Sequence, residues 1–488
     1  MGFLDKFKSL FGGGQKEEKP AAEVQEPVPV AETPAEEIAA EEPASSGKYY
    51  TLACSHVGFS HTKTGTPCQD YASKVDEEDF HILTVSDGHG SSNFVRSDRG
   101  SRFACEAAEA AMRQFAAEID PAELTADRRR YEALLMLCKN ILLRWDEAIK
   151  ADVAEHPFTE MEVAQVSDKY RDAYLQGERI EHAYGATLIA VLLTKDYMLA
   201  LRNGDGECVV IDPKGELSTP IPWNEKCEAS VVTSLCDKNA IMDFRFHYTT
   251  ELPAAVFIGS DGIDNSYPKT EDLYTLYCNI CTEAVANGIE TARTDIIDFL
   301  PTLTEKGSQD DVSIAAILDR ELLPQVNDEL KFYMEHRLHL REAEDTRRKL
   351  ARINRNIREK QKAQEVALTR ATENRSELES LTLQKWSIPG LEFSEDELDG
   401  LRQGIKAFED KIVELTKELE ELETQKEEVS LKLADILEIL AQDDARIEAK
   451  AQAIAEAVAV AEAETDEVAE PWANGQNTDG QNDVSESV

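Results

Sequence analysis

Short apolar stretches rich in β-branched residues recur between residues 48 and 320, and stretches of helical periodicity lie between them. The stretches predicted as strands are 49–54, 80–85, 186–193, 198–201, 208–211, 255–258 and 312–318. The helices are predicted over about residues 98–118, 129–150 and 270–287. Because strands and helices come in groups rather than in strict alternation, the pattern favours an α+β domain over a doubly wound sheet. A mostly polar interval at 151–181 is predicted to run over the surface.

Residues 321–449 have the pattern of a helical hairpin. Residues 325–384 contain no Gly or Pro, which predicts one long helix, and the Pro-Gly pair at 389–390 ends it. Ser394 and the acidic residues after it predict the N-cap of a second helix. The a and d positions of its heptad repeat are Leu398, Leu401, Ile405, Phe408, Ile412, Leu415, Leu419, Leu422, Val429, Leu433, Ile436 and Leu440. We therefore expect an antiparallel coiled coil, within one chain or as part of a homodimer, in which Lys426 at an a position fixes the register.

Three flanking segments differ in composition from these two parts. Residues 1–12 place five apolar side chains on one helical face, which predicts either a weakly membrane-binding or partner-docking helix or a loosely structured N-terminus. Residues 13–46 are rich in Glu, Pro and Ala, and they are expected to be a disordered linker. Residues 450–488 are expected to form a disordered acidic tail.

The charge balance excludes one class of partner. The chain carries 96 acidic and 52 basic residues, a formal net charge of -44, whereas nucleic-acid binding needs a basic surface. No apolar run approaches the roughly 18–20 residues that span a bilayer, and no signal peptide is recognisable. The nine cysteines are scattered, and Cys278 and Cys281 lack the second pair that a zinc site would need. We expect reduced cysteines and a cytoplasmic location.

Acidic residues cluster where predicted strands begin or end. The stretches 80–86 and 255–260 each run into Asp-Gly, at Asp87 and Asp261, and Asp205 lies in the turn between two strands. Asp310 and Asp311 open the last strand, and Asp70 follows Gln69 upstream. A single Asp-Gly is a common turn, but several carboxylates at strand ends provide the oxygen ligands that Mg²⁺ and Mn²⁺ prefer. Two such ions roughly 3.5–4 Å apart activate water and clamp a phosphoryl group.

The motifs occur in an order that is similar to a known family. They are Ser-Asp-Gly-His-Gly at 86–90, Gly-Ala-Thr at 185–187, Gly-Asp at 204–205, Ser-Asp-Gly at 260–262 and Gly-Ser-Gln-Asp-Asp-Val-Ser-Ile at 307–314. This set resembles the metal-dependent, type 2C serine/threonine protein phosphatases (the PPM family). The Gly-Thr-Pro-Cys-Gln-Asp segment at 65–70 resembles the start of the bacterial branch. The resemblance covers residues 48–320 and implies a central antiparallel β-sandwich flanked by helices, with a dinuclear Mn²⁺ or Mg²⁺ centre at one end.

The resemblance also implies roles for the acidic residues. Asp87 would bridge both metal ions, and Gly88 would contribute its backbone carbonyl. The remaining ligands of the second ion would be Asp261 and Asp310. Asp70 would hold metal-bound water.

Two further residues match the family's pattern. Asp205 matches the residue associated with a third, weaker metal. His89 matches the proposed general acid, which protonates the departing seryl or threonyl oxygen. The implied reaction is hydrolysis of phosphoserine or phosphothreonine in phosphorylated proteins by a metal-bridged hydroxide, with a serine/threonine kinase as the counterpart.

The sequence departs from the family's pattern on the side that would hold phosphate. Gln69 stands where many members have an acidic residue, and Gly65 stands where an arginine usually binds phosphate. His61 or Lys63 could take over the phosphate contact, and both could equally be ordinary loop residues. These departures leave a second interpretation open, a catalytically weak binding or scaffold module that acts through its coiled coil. A third makes the hairpin the main functional part and the phosphatase its regulator.

Overall fold

The structure is a computed structural model that describes residues 47–227, 231–388 and 395–468. The chain divides into two compact units between Met334 and Glu335. The predicted N-terminal helix at 1–12, the linker at 13–46 and the end of the predicted tail after residue 468 lie outside the described residues. No helix in the described ranges is both long and apolar enough to cross a membrane.

The first unit contains two five-stranded antiparallel sheets. In the first sheet the order is β1 (Tyr49–His56), β10 (Val312–Asp319), β9 (Ala255–Gly259), β6 (Glu207–Ile211) and β7 (Leu217–Ser218). In the second the order is β2 (Tyr71–Asp76), β3 (Phe80–Ser86), β4 (Leu188–Thr194), β5 (Met198–Asn203) and β8 (Arg245–Thr249).

The two sheets pack face to face through the apolar side chains on their inner faces. Leu83 on β3 lies in one buried cluster with Val191 on β4 and with Val256 and Ile317 from the other sheet. The preceding residue, Ile82, points to the opposite face, as strand geometry requires, and packs in a cluster with the helices outside the second sheet. This arrangement confirms the predicted α+β class with a β-sandwich flanked by helices.

Helices cover the outer faces of both sheets. The helices of the first unit are α1 (Phe59–Thr64), α2 (Ser97–Glu118), α3 (Asp127–Glu155), α4 (Asp168–Leu175), α5 (Ile180–Ala183), α6 (Ala240–Asp243), α7 (Asp261–Asp264), α8 (Thr270–Asn287) and α9 (Ile289–Lys306), with a 3₁₀ helix at Pro121–Thr125. The helices α2 and α3 cover the second sheet, and α8 and α9 cover the first. Two long helices follow, α10 (Leu323–Ser387) and α11 (Glu395–Val468).

The polar interval at 151–181 is mostly exposed, as predicted, and a few buried residues anchor it to the core. Val163 and Val166 are fully buried, and they join the cluster beneath α2 and α3. The buried side chain of Arg96 draws the interval inward, because its guanidinium pairs with Glu162 (Nε–Oε1 2.6 Å) and donates to the Tyr184 hydroxyl (2.7 Å).

In the second unit, the long helices pack against each other in opposite directions. Residues early in α10, such as Ala343, lie with Ile436 and Leu440 late in α11. Farther along α10, Ile353 and Ile357 lie with Val429, and beyond them Gln364 Nε2 donates to Thr416 Oγ1 (2.8 Å). The contacts are therefore those of an antiparallel hairpin, with predicted heptad residues in the seam.

We expect Gly100→Ala to destabilise the first unit by about 2 kcal/mol or more, because a Cβ on this α2 residue would lie 1.9 Å from the Tyr184 carbonyl oxygen. Thermal unfolding of the full chain would measure the change. The matched control is Gly400→Ala in α11, where an added Cβ meets no atom within 4 Å. An unchanged transition in Gly100→Ala would contradict the packing described here.

Candidate functional site

The carboxylates predicted from the strand ends lie around one cleft of about 520 Å³. Its described lining residues are Ser60, His61, Gln69, Asp87, Gly88, His89, Gly90, Thr187, Asp205, Val232, Asp261, Ser308, Gln309, Asp310 and Asp311. Asp87 follows β3, Asp261 follows β9 and Asp310 precedes β10. The sandwich brings these aspartates together because the strand ends that carry them lie at the same end of the two sheets.

Backbone hydrogen bonds hold the Asp87-Gly88 turn in place. The amide of Asp87 donates to Thr187 Oγ1 (3.0 Å), and the amide of Thr187 donates to the Asp87 carbonyl (2.8 Å). The amide of Gly88 donates to the Gln69 carbonyl (3.1 Å). A Cβ on Gly88 would lie 2.6 Å from the Ser97 carbonyl oxygen, so only glycine fits this crossing.

Burial and mutual repulsion disfavour the charged forms of these carboxylates. Burial, together with the charges of Asp311 and Asp261, raises the pKa of Asp70 to about 8. Burial and the nearby charges of Asp70 and Asp261 raise the pKa of Asp87 well above its usual range. Burial, with a further contribution from Asp261, raises the pKa of Asp205 to about 6. The site therefore gathers several carboxylates in little solvent. A bound cation would stabilise their charged forms.

The donor set fits a hard divalent cation. Asp70 is 6% exposed, and its Oδ2 atom has no hydrogen-bond partner among the described residues. The nearby side chains offer oxygen ligands, as Mg²⁺ and Mn²⁺ require. In the described part of the chain, no three carboxylate, imidazole or thiol groups form a ready-made metal cage. An ion held here would complete its shell with water and backbone carbonyls, as Mg²⁺ commonly does.

Gln69, which departs from the family's pattern, braces the site. Its side-chain Nε2 donates to Ser97 Oγ (2.7 Å) and, more weakly, to the His89 carbonyl (3.4 Å). Its backbone carbonyl accepts the Gly88 amide. The neutral amide thus links the turn after Asp87 to the start of α2.

The sequence marks Asp311 only as part of the acidic pair that opens the last strand, without a role of its own. Its side chain is 3% exposed, and its two oxygens accept the amides of Gly58 and Gln69, each at 2.6 Å. Its Oδ1 also lies 2.9 Å from Nδ1 of His61. The doubled aspartate at 310–311 was the available signal, since two adjacent carboxylates at a strand start point in different directions.

Aromatic packing and a close glycine hold His89. Its amide donates to the Gly185 carbonyl (3.1 Å), and its ring meets the Phe94 ring edge to face at 4.7 Å. A Cβ on Gly185 would lie 2.8 Å from the His89 ring, so the glycine makes room for it. Burial lowers the pKa of His89, although the charges of Asp237 and Asp261 oppose that shift.

The two residues suggested for phosphate binding lie in different surroundings. His61 lines the cleft. Lys63 is exposed, and its Nζ atom lies 4.0 Å from the centre of the Phe59 ring. The structure therefore brings His61, but not Lys63, to the described lining of the cleft.

Comparisons with known proteins bear on the first unit. The sequence profile described as protein phosphatase 2C matches residues 57–300, half of the chain. No curated protein matches the sequence.

Several solved structures are distantly similar. PppA, a regulatory component of the T6SS in Pseudomonas aeruginosa, is 16% identical over 56% of this chain and 98% of its own, with a TM-score of 0.36. The serine/threonine phosphatase Stp1 of Staphylococcus aureus is 13% identical over 57% and 98%, with a TM-score of 0.36. PstP/Ppp of Mycobacterium tuberculosis is 16% identical over 56% and 99%, with a TM-score of 0.34. The catalytic domain of PstP is also known in complex with two manganese ions.

We expect the metal-free protein to lose thermal stability as the pH rises from about 6.5 to about 8. The pKa of Asp70 is about 8 in the folded chain and near 3.8 when it is unperturbed, so the folded state binds more protons in this range. Stability is then lost as that proton leaves. The range begins at pH 6.5 because buried histidines with a lowered pKa, such as His89, make stability rise with pH below that value.

Thermal unfolding in the presence of a chelator would measure this slope. Asp70→Asn, which cannot ionise, should reduce it. A slope that is equal in the variant and the parent would show that Asp70 is not the group that titrates.

Proposed function

Because this chain belongs to the protein phosphatase 2C family, we propose that its cleft hydrolyses phosphoserine and phosphothreonine in proteins with the help of Mn²⁺ or Mg²⁺. Members of the family are metal-dependent serine/threonine protein phosphatases that act on phosphorylated proteins. The observation that carries the proposal is the convergence of Asp87, Asp261 and Asp310 on one cleft, with the buried carboxylate of Asp70 close to Asp261.

The acidic residues would hold two ions. Asp87 would bridge them with the Gly88 carbonyl beside it, and Asp261 and Asp310 would bind the second ion. Asp70 would accept a hydrogen bond from a coordinated water, and Asp205 would serve a third, weaker site. When bound, the ion pair supplies the positive charge that lets a bridging hydroxide form near neutral pH.

The protein's own groups would direct the reaction. The carboxylates would hold the ions at one end of the cleft, where the phosphate of the substrate would bind. His89 would give its proton to the departing seryl or threonyl oxygen. Its lowered pKa makes the imidazolium a stronger acid, and it also reduces the fraction of His89 that is protonated near neutral pH. Water attacks phosphorus directly in this scheme, without a covalent phosphoenzyme.

A second candidate function, a catalytically weak phosphatase-like module that acts through its hairpin, has one observation in its favour. Gln69 supplies an amide where an acidic side chain would add a metal contact. The structure gives this amide a bracing role instead, between Ser97 and His89. A homodimer formed through the hairpin stays a prediction.

We expect Asp87→Asn and Asp261→Asn each to reduce Mn²⁺-dependent turnover of a phosphothreonine peptide by about a thousandfold or more. Each change removes a ligand, and several kcal/mol of transition-state stabilisation depend on the ions. Steady-state kinetics would measure the loss, with Asp196→Asn in an exposed turn as the matched control.

Calorimetric titration with Mn²⁺ should accompany these assays. Binding of Mn²⁺ by a parent protein that has no turnover would support the binding module. Full activity in both Asp87→Asn and Asp261→Asn would contradict the proposed location of the active site.

We expect His89→Gln to lower turnover of phosphoserine peptides by about 10²–10⁴-fold. Turnover of p-nitrophenyl phosphate should fall much less, because its leaving group departs without needing a proton. The ratio of the two kcat values would measure the effect, with His247→Gln on β8 as the control. Equal losses on both substrates would argue against a general-acid role for His89.

A further inference from the structure

The cleft has few groups that can attract a phosphate. Its described lining contains several carboxylates and no Lys or Arg side chain. A phosphate monoester is itself negatively charged, so it needs hydrogen-bond donors from the protein in addition to any bound ions. Among the described lining side chains, only His61 and His89 can carry a positive charge.

His61 is fixed in position by two sets of contacts. The short helix α1 is attached to the loop before β10, because the amide of Phe59 donates to Thr304 Oγ1 (2.9 Å) and the amide of Ser60 donates to the Gln309 carbonyl (3.0 Å). The ring itself lies with Nδ1 at 2.9 Å from Asp311 Oδ1.

Asp311 is a rigid partner for that ring. Both of its oxygens accept short hydrogen bonds from backbone amides, those of Gly58 and Gln69. An ionised carboxylate has only acceptors, so Nδ1 of His61 must be the donor in their contact. The other ring nitrogen, Nε2, lies on the edge of the ring that is remote from Asp311.

We propose that His61 is the phosphate-binding residue of this cleft and that Asp311 is its positioning residue. In the protonated ring, Nδ1–H donates to Asp311 and Nε2–H donates to a non-bridging phosphate oxygen. Asp311 orients the ring through this hydrogen bond, and its own backbone contacts hold it in place at the cleft. The proposal rests on the proposed function for its substrate, a phosphorylated side chain.

The same geometry assigns no phosphate role to Lys63. Its ammonium lies over the Phe59 ring, and its side chain is not part of the described cleft lining. The two residues lie on the same six-residue helix, so Lys63 provides a matched control for any change at His61.

The test combines kinetics with direct binding of inorganic phosphate to the full chain in Mn²⁺. We expect His61→Ala to raise KM for a phosphothreonine peptide and to weaken orthophosphate binding in calorimetry by about tenfold or more, because a charge-assisted hydrogen bond is lost. The effect on kcat should be smaller. His61→Arg should recover most of the phosphate affinity, and Lys63→Ala should match the parent.

The role of Asp311 is tested by a double-mutant cycle. Asp311→Asn should weaken phosphate binding in the parent, but it should add little in the His61→Ala background, because the residue acts through His61. A merely structural role would give losses that add. Unchanged phosphate affinity in His61→Ala, failure of His61→Arg to restore it in a folded protein, or additive losses in the cycle would each overturn the proposal.

The two proposals can fail separately. A parent protein that binds orthophosphate through His61 but turns over no phosphopeptide would contradict the proposed function and leave the phosphate contact intact. Normal turnover in both the parent and the His61→Ala variant would support the proposed function and contradict the phosphate contact of His61.

Discussion

The constraint on which the site depends is the enclosure of several carboxylates in one place with too little water to solvate them. Such charges repel one another and resist burial, so a fold that gathers them must provide compensating contacts elsewhere. Here the compensation comes from the sandwich. Two sheets with apolar residues on both faces fix the strand ends, and the strand ends in turn fix Asp87, Asp261 and Asp310.

The segments that carry these side chains are joined at backbone level. A Cβ on Gly262 would lie 1.9 Å from the Asp311 carbonyl oxygen, and a Cβ on Gly88 would lie 2.6 Å from that of Ser97. These approaches leave no room for a side chain, so the glycine beside each aspartate is a packing requirement. Hydrogen bonds from Gln69 and Thr187 complete the frame. The acidic residues are thus held by neighbours that need carry no charge.

The sequence predicted the parts of the fold that its pattern marks strongly. The strands that are apolar on both faces were recognised, whereas β2 and β8 were missed, because their residues are mostly half-buried and mixed in character. Helix α9 was missed as well, and it contains Pro301 within its length. The anchoring of the 151–181 interval depends on the ion pair between the buried Arg96 and the half-buried Glu162, which are distant in sequence. The periodicity of apolar residues does not predict an ion pair between distant parts of the chain.

The candidate site shows the same division between local pattern and distant contact. The strand-end aspartates could be predicted from their motifs, and they line one cleft, with Asp70 buried close to Asp261. The roles of Gln69 and Asp311 could not be read in that way. Each role follows from hydrogen bonds to residues that are distant in sequence. The residue type alone, an amide or a second aspartate, does not identify those partners.

The close approach of Gly100 to Tyr184 has a consequence for how substitutions in this protein should be interpreted. Tyr184 precedes Gly185, whose carbonyl binds the His89 amide, so the spacing between α2 and this segment also sets the position of His89. A residue change in α2 that enlarges this spacing would reach the cleft without touching it. In a genetic screen such a change would resemble damage to a reacting group, although the affected atoms belong to the packing of a helix.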